Sequence, residues 1–211
     1  MDSLGRHEDY GSIALEEGSL SLNPLENLRT WLNDAEVAKI YEPNAFVLTA
    51  IEASGNPTSR TVLLKQLDDG LVFVTNYLSR KGVAVDANPR VSCVFGWYSI
   101  HRQVLVEGNA TRVSESESDE YFASRPRGSQ IAAWASEQSK AIESRADLDK
   151  HYAEIEKRFV AEEFIPRPPH WGGYRIIPER FEFWKGRSNR MHDRILFQKT
   201  DSGWKPSRLQ P

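Results

Sequence analysis

The 211-residue sequence holds one cysteine, two methionines and five histidines, and its 27 Lys and Arg nearly balance its 30 Asp and Glu. A lone Cys93 excludes an internal disulfide, and its setting in the alternation Val91, Cys93, Phe95 marks it as a core side chain, in keeping with a reducing compartment. A net charge of −3 excludes a nucleic-acid binder held by bulk charge. No segment approaches the roughly 20 apolar residues of a membrane span, and the first residues lack a signal-peptide core, so a cytoplasmic protein without membrane attachment is expected. There is no G-x-G-x-x-G and no regular β–α alternation, which argues against a doubly wound dinucleotide fold. Nor is there a carboxylate pair, a Ser-His-Asp order or a Cys/His metal spacing, and the scattered His7, His101, His151 and His170 supply none, so no metal is expected.

What is present reads mainly as strands. Residues 1–22 are rich in Gly, Ser and Glu without a sustained period and are expected to form a mobile arm ahead of a single domain at 23–211. Asn23-Pro24-Leu25-Glu26 combines a cap, a first-turn proline and an acid that can reach back, predicting a helix to about Lys39. Strand-like runs follow at 45–51, 58–67, 71–75, 91–97 and 102–113, separated by SGNP, DDG and NP turn signals. Ser114-x-x-Glu117 and Ser144-x-x-Asp147 each open a helix, and strands return at 174–177, 180–184, 194–199 and 204–209. Eight or nine strands with mostly short connections predict a mainly β, α+β architecture: an antiparallel barrel with peripheral helices. Exposed-looking aromatics near Trp97-Tyr98 and at Trp134 suit an interface.

Four clusters could carry chemistry. Ser79-Arg80-Lys81-Gly82 puts a hydroxyl, two cations and free amides at a helix start, which suits a phosphate or is a solvated cap. Arg60 and Lys65 stand five apart in one strand, so they face opposite ways unless a bulge intervenes; one of them faces a polar cavity or snorkels out of the sheet. Tyr121 and Arg125 share a helix face, and the break at Pro126 brings Ser129 round to them, giving either a phosphate chelate or an ordinary helix end, with Gln138-Ser139 following. Arg190, His192 and Arg194 alternate, so on an extended backbone the imidazole lies between two guanidiniums that lower its proton affinity.

The ordered segments RTVLLK at 60–65, VTNYLSRKG at 74–82, HRQVLVEG at 101–108, YFASRPRGSQIAAWASEQS at 121–139, WGGYRI at 171–176, FEFWKG at 181–186, RMHDR at 190–194 and the ending RLQP resemble the pyridoxine/pyridoxamine 5′-phosphate oxidase family over about residues 24–211. The resemblance implies an FMN-binding split β-barrel acting as a homodimer, with the flavin at the subunit interface. It implies FMN contacts from Arg60, Thr61, Val62, Leu63, Leu64, Lys65, Thr75, Arg80, Lys81, Gln103, Gln138, Ser139, Trp184 and Arg194. Lys65, Tyr121, Arg125 and Ser129 are implied to grip the substrate phosphate, and Arg190 and His192, the catalytic pair, to meet its pyridine ring. The implied reaction is oxidation of pyridoxine or pyridoxamine 5′-phosphate by O2 to pyridoxal 5′-phosphate, releasing hydrogen peroxide and, from the amine, ammonia.

Two features depart from that pattern: Val74 replaces a tyrosine common in the family, and the arm's Arg6-His-Glu-Asp-Tyr10 carries one residue more than the family's Arg-x-Glu-Tyr. The rival readings are a flavin oxidase of another heteroaromatic compound, of the phenazine type, and a split-barrel FMN binder without turnover. Lys65, Tyr121, Arg125 and Ser129 weigh against the first, since a substrate lacking phosphate leaves those groups unpaired. Arg190 and His192 beside Trp184 weigh against the second.

Overall fold

The computed structural model describes Leu4 and residues 9–211; Arg6 and His7 lie outside the described residues. The chain runs through α1 (Pro24–Val37), β1 (Ala45–Ile51), β2 (Pro57–Leu63), β3 (Gln66–Leu67), β4 (Leu71–Asn76), α2 (Arg80–Ala87), β5 (Arg90–Trp97) and β6 (Arg102–Arg112). It continues through α3 (Glu115–Ser124), α4 (Arg127–Ala135), α5 (Arg145–Arg158), β7 (Trp171–Lys185), β8 (Asp193–Thr200) and β9 (Gly203–Leu209).

Local chemistry sets the helix starts. Asn23 accepts from the Leu25 amide at 3.1 Å, with Pro24 in the first turn. Ser114 and Glu117 form a reciprocal capping box at α3, and Ser144 accepts from the Asp147 amide at 3.2 Å at α5. The short α4 was not anticipated; Pro126 at its N-cap masks it, because a proline between two apolar stretches reads as a break.

Every strand pairing is antiparallel, and the curled sheet has the order β2-β1-β5-β6-β7-β4-β3, with β8 and β9 continuing from β7. This is the split barrel with helices packed outside it. Strand β7 is its spine: along one side Tyr174–Lys185 meet β6, while on the other Trp171–Ile176 pair with β4 and Arg180–Lys185 pair with β8. The two strands expected at 174–177 and 180–184 are therefore one, because the register shift between Glu107 and Gly108 absorbs the missing amide of Pro178 without ending the strand. Conversely, the run expected at 58–67 divides into β2 and β3, with Leu64 and Lys65 between them.

The interior is aromatic. Phe46, Phe73, Phe95, Phe181, Phe183 and Phe197 are fully buried, each contributing roughly 1.5–3 kcal/mol of burial free energy. Trp97 belongs to this core, at 2% exposure and with Nε1 donating to the Pro43 carbonyl, rather than to an exposed surface; its neighbour Tyr98 is exposed. Cys93 is wholly buried, and burial pushes its thiol pKa far up, so it is an inert core residue. A second cluster, Phe122, Ile131, Phe159, Ile165 and Trp171, fixes α3 to α5 against the β4 end of β7. Ahead of α1, Leu15 is buried in the main core, and Arg208 of β9 binds its carbonyl at 2.9 Å. No helix among the described residues is long and apolar enough to cross a membrane.

Candidate functional site

At the first end of β7, the end of β2, strand β4 and helices α3 and α4 enclose an open cleft of about 650 Å³. Thr61, Val62, Leu63, Lys65, Thr75, Lys81, Tyr121, Arg125, Ser129 and Gln138 all line it. The break after Leu63 resolves the facing problem of Arg60 and Lys65: they do not share a regular strand, and Lys65 swings into the cleft with its ammonium 6.0 Å from the Tyr121 ring. Arg60 is tied back to its own strand, donating to the Thr58 carbonyl at 2.9 Å and to Thr58 Oγ1 at 2.8 Å. Leu64 turns the other way, into the core.

Lys81 sits at the first turn of α2 among neutral oxygens. Its ammonium donates to Thr75 Oγ1 and Gln138 Oε1, both at 3.0 Å, and to Ser79 Oγ at 3.3 Å. Burial, reinforced by the nearby Arg60 charge, pulls its pKa down to about 8. Arg80 pairs with Glu52, while its amide donates to Ser139 Oγ at 3.2 Å, so Arg80 and Ser139 occupy an adjoining groove. Three cations thus meet one carboxylate, and the donor set has room for a phosphate dianion. Gly82 makes the arrangement possible: a Cβ there would lie 2.3 Å from the Tyr77 carbonyl oxygen.

Across the cleft, the Arg125 guanidinium lies over the Trp171 ring, which stacks on Tyr121 at 6.2 Å between centroids. Arg125 Nη1 is buried and has no hydrogen-bond partner among the described residues, and burial lowers its pKa. A buried, unpaired guanidinium nitrogen beside a lysine, a phenol and a serine is an incomplete anion site. Trp171 and Val74 also line this cleft. Trp171 carries no sequence signal of a site, because a lone tryptophan at a strand start reads as core, and Val74 lines the cleft from β4 although it lacks the family's tyrosine.

The remaining residues gather elsewhere. Gln103, Trp184 and Arg194 are register partners on β6, β7 and β8 and form one row across the sheet. The His192 ring stands 4.7 Å from that of Trp184, and Tyr10 approaches both, 5.7 Å from His192 and 6.3 Å from Trp184, while lying 4.4 Å from His101. The expected alternation of Arg190, His192 and Arg194 on extended backbone is not found. Asn189 and Arg190 adopt positive φ of 56° and 59° in a 3-10 turn, and β8 begins only at Asp193. Arg194 is engaged by Glu182 at 2.8 Å and by the Gln210 carbonyl at 3.0 Å. The His192 pKa is lowered as anticipated, but burial is the main cause and Arg190 the only cation contributing.

Thr75 pairs with Gly172, and Gln103 with Trp184, so the two clusters stand 12 positions apart on β7, on the order of 40 Å of strand. One chain does not bring its two groups of site residues together.

Comparison with known proteins matches residues 32–159 to the family described as pyridoxamine 5′-phosphate oxidase, and residues 171–211 to the pyridoxine 5′-phosphate oxidase C-terminal dimerisation region. A pyridoxine/pyridoxamine 5′-phosphate oxidase of Rubrobacter xylanophilus is 50% identical over all of this chain and 97% of its own length. One from Paraburkholderia phytofirmans is 47% identical over the whole of both chains. Among solved structures, PhzG from Burkholderia lata, in complex with tetrahydrophenazine-1-carboxylic acid, superposes with a TM-score of 0.88 at 31% identity, covering 96% of this chain and 100% of that one.

Proposed function

The chain belongs to the pyridoxamine 5′-phosphate oxidase family and is an oxidoreductase, and from that premise we propose that it oxidises pyridoxine 5′-phosphate or pyridoxamine 5′-phosphate to pyridoxal 5′-phosphate with FMN as cofactor and O2 as final acceptor. The observation that carries the reading is Arg125 Nη1, buried and without a hydrogen-bond partner among the described residues, in a cleft shared with Lys65, Tyr121 and Ser129. These four groups match a phosphate monoester, which would satisfy the guanidinium that the chain leaves open.

Residues at the start of α2 fit the FMN phosphate: Lys81 and Arg80 supply charge, while Thr75, Gln138 and Ser139 supply polar contacts. Arg60 adds positive potential beside Lys81 while Thr58 engages its Nη1 and Nη2. Thr61, Val62, Leu63 and Lys65 line the wall along which the flavin would lie. FMN, when bound, supplies the two-electron acceptor that O2 regenerates with release of hydrogen peroxide. In the balance, the substrate gives up two electrons and two protons, one hydrogen from C4′ and one from its hydroxyl or amine, O2 takes them up as H2O2, and the imine formed from the amine adds water to release ammonia.

Because the row Gln103, Trp184, Arg194 and the pair Arg190, His192 lie at the far end of β7, we assign each complete site to two copies of the chain in a homodimer. One copy grips the phosphates, and its partner presents Arg190 and His192 to the pyridine ring. A neutral His192 accepts or donates at the ring and orients C4′, while Arg190 stabilises negative charge that develops as the proton leaves.

The structural likeness to PhzG supports one alternative, a tricyclic heteroaromatic substrate. Peroxide release decides between them: the proposal expects turnover with pyridoxine or pyridoxamine 5′-phosphate, and far less with unphosphorylated pyridoxine. Turnover of a reduced phenazine carboxylate with none of either phosphate ester would overturn it.

A further inference from the structure

Asp193 opens β8 directly after His192, and only 6% of it is exposed. Its carboxylate gathers three distant parts of the chain. Oδ2 accepts from the Leu15 amide at 2.9 Å, Oδ1 from Arg208 Nη1 at 2.6 Å, and Arg187 Nη1 reaches Oδ2 at 3.5 Å. Burial would raise this carboxyl's pKa, but the Leu15 amide and the two guanidiniums hold it below the ordinary range, so it stays an anion. Arg208 is itself fixed by Glu17 and by the Leu15 carbonyl.

Arg187 connects this knot to the site. Its side chain faces Asp193, while its backbone amide donates to His192 Nδ1 at 3.1 Å. An accepting Nδ1 places the proton of the neutral ring on Nε2, and an imidazolium would set N–H against N–H at that contact. Among the described residues the Arg187 amide is what fixes the tautomer, because the ring's other neighbours, Trp184 and Tyr10, meet it as tilted aromatic rings.

We propose that Asp193 is a positioning residue for His192: its carboxylate anchors the Arg187 side chain, Leu15 and Arg208 at one point, which keeps the Arg187 amide on Nδ1 and the ring proton on Nε2. The turn beside the ring carries two positive-φ residues, Asn189 and Arg190, and such an anchor holds its backbone so that the ring is presented in one orientation. The catalytic meaning of this arrangement rests on the function proposed above; the tautomer itself does not.

The test uses the full-length, FMN-loaded protein with 15N-labelled histidine, comparing wild type with Asp193→Asn and Arg187→Gln. The second variant leaves the buried carboxylate and its Leu15 and Arg208 contacts in place, and it decides the matter if Asp193→Asn does not fold. Ring-nitrogen NMR should show His192 of the wild type as a single neutral form protonated on Nε2, and both variants as a mixture of tautomers. Their kcat with pyridoxine 5′-phosphate should fall on the order of tenfold with KM and FMN affinity little changed. A wild-type tautomer in every folded variant would overturn the proposal. A fixed tautomer in the wild type and mixed tautomers in the variants, with neither phosphate ester oxidised by the wild type, would instead leave the role of Asp193 standing and overturn the proposed function.

Discussion

The guanidinium carbon of Arg125 lies 4.5 Å from the centroid of the Trp171 ring, and the same guanidinium keeps a buried nitrogen without a hydrogen-bond partner among the described residues. Stacking holds the cation in place while leaving its donors available for an incoming anion. Arg125→Ala should therefore raise KM for pyridoxine 5′-phosphate about 10- to 100-fold, the value of one or two charge-assisted hydrogen bonds, and change FMN affinity little. Steady-state kinetics beside a flavin titration checks both halves. Arg125→Lys should recover only part of the loss, because an ammonium neither stacks on Trp171 nor binds in a fork.

Lys81 gives FMN binding a pH dependence. Its pKa in the unliganded protein is about 8, so the ammonium is present below that pH and lost above it. A bound phosphate dianion favours the charged form and raises the pKa. FMN affinity should thus be flat below pH 8 and fall as pH rises through it, with proton uptake on binding above pH 8. Fluorescence titration of apoprotein between pH 6.5 and 9.5 tests this range, chosen at about 1.5 units either side of the Lys81 pKa. Lys81→Arg, which cannot lose its charge there, should abolish the slope.

Arg190 acts on His192 through charge. Burial first and Arg190 second hold the His192 pKa below its ordinary 6.5, so the ring is neutral at pH 7 and becomes protonated only as pH falls through the lowered value. Removing the like charge in Arg190→Ala should move the acid limb of the kcat/KM profile to higher pH while lowering the plateau. An unmoved limb would mean that another group sets it.

Gly82 is a steric hinge of the proposed cofactor end. A Cβ would strike the Tyr77 carbonyl oxygen at 2.3 Å, so Gly82→Ala must shift α2 or the turn before it. Thermal unfolding should show a loss of about 1–3 kcal/mol, accompanied by weaker FMN binding.

The strand boundaries were legible because alternation and Gly/Asn/Pro turns act locally: Ala45–Ile51 was read without error, and Asn23, Ser114 and Ser144 all cap as their spacing implied. Continuity of β7 was not legible, since only the opposite strand reveals that a shift at Glu107 and Gly108 accommodates Pro178. Period alone also misjudged the 190–194 run, where two positive-φ residues replace an extended backbone. Tyr121, Arg125 and Ser129 were visible as a cluster of phosphate-binding types and Lys65 joined them only through the family resemblance, while Trp171, from a strand more than 40 residues later, could enter the cleft only through the fold. The Asp193 knot joins Leu15, Arg187 and Arg208, and no local pattern connects those three.

The central claim, that each active site takes its phosphate grip from one chain and its Arg190 and His192 from another, is tested most directly by mixing two variants, one impaired in each half of the site. Arg125→Ala and His192→Ala proteins are unfolded together, refolded to allow subunit exchange, and assayed for peroxide release at a pyridoxine 5′-phosphate concentration no higher than the wild-type KM, where the raised KM of Arg125→Ala leaves it little activity. A shared site leaves every mixed dimer with one intact site of two, so random pairing should restore about one quarter of the wild-type specific activity. A mixture no more active than its parents, with mixed dimers demonstrated by native mass spectrometry, would contradict the account.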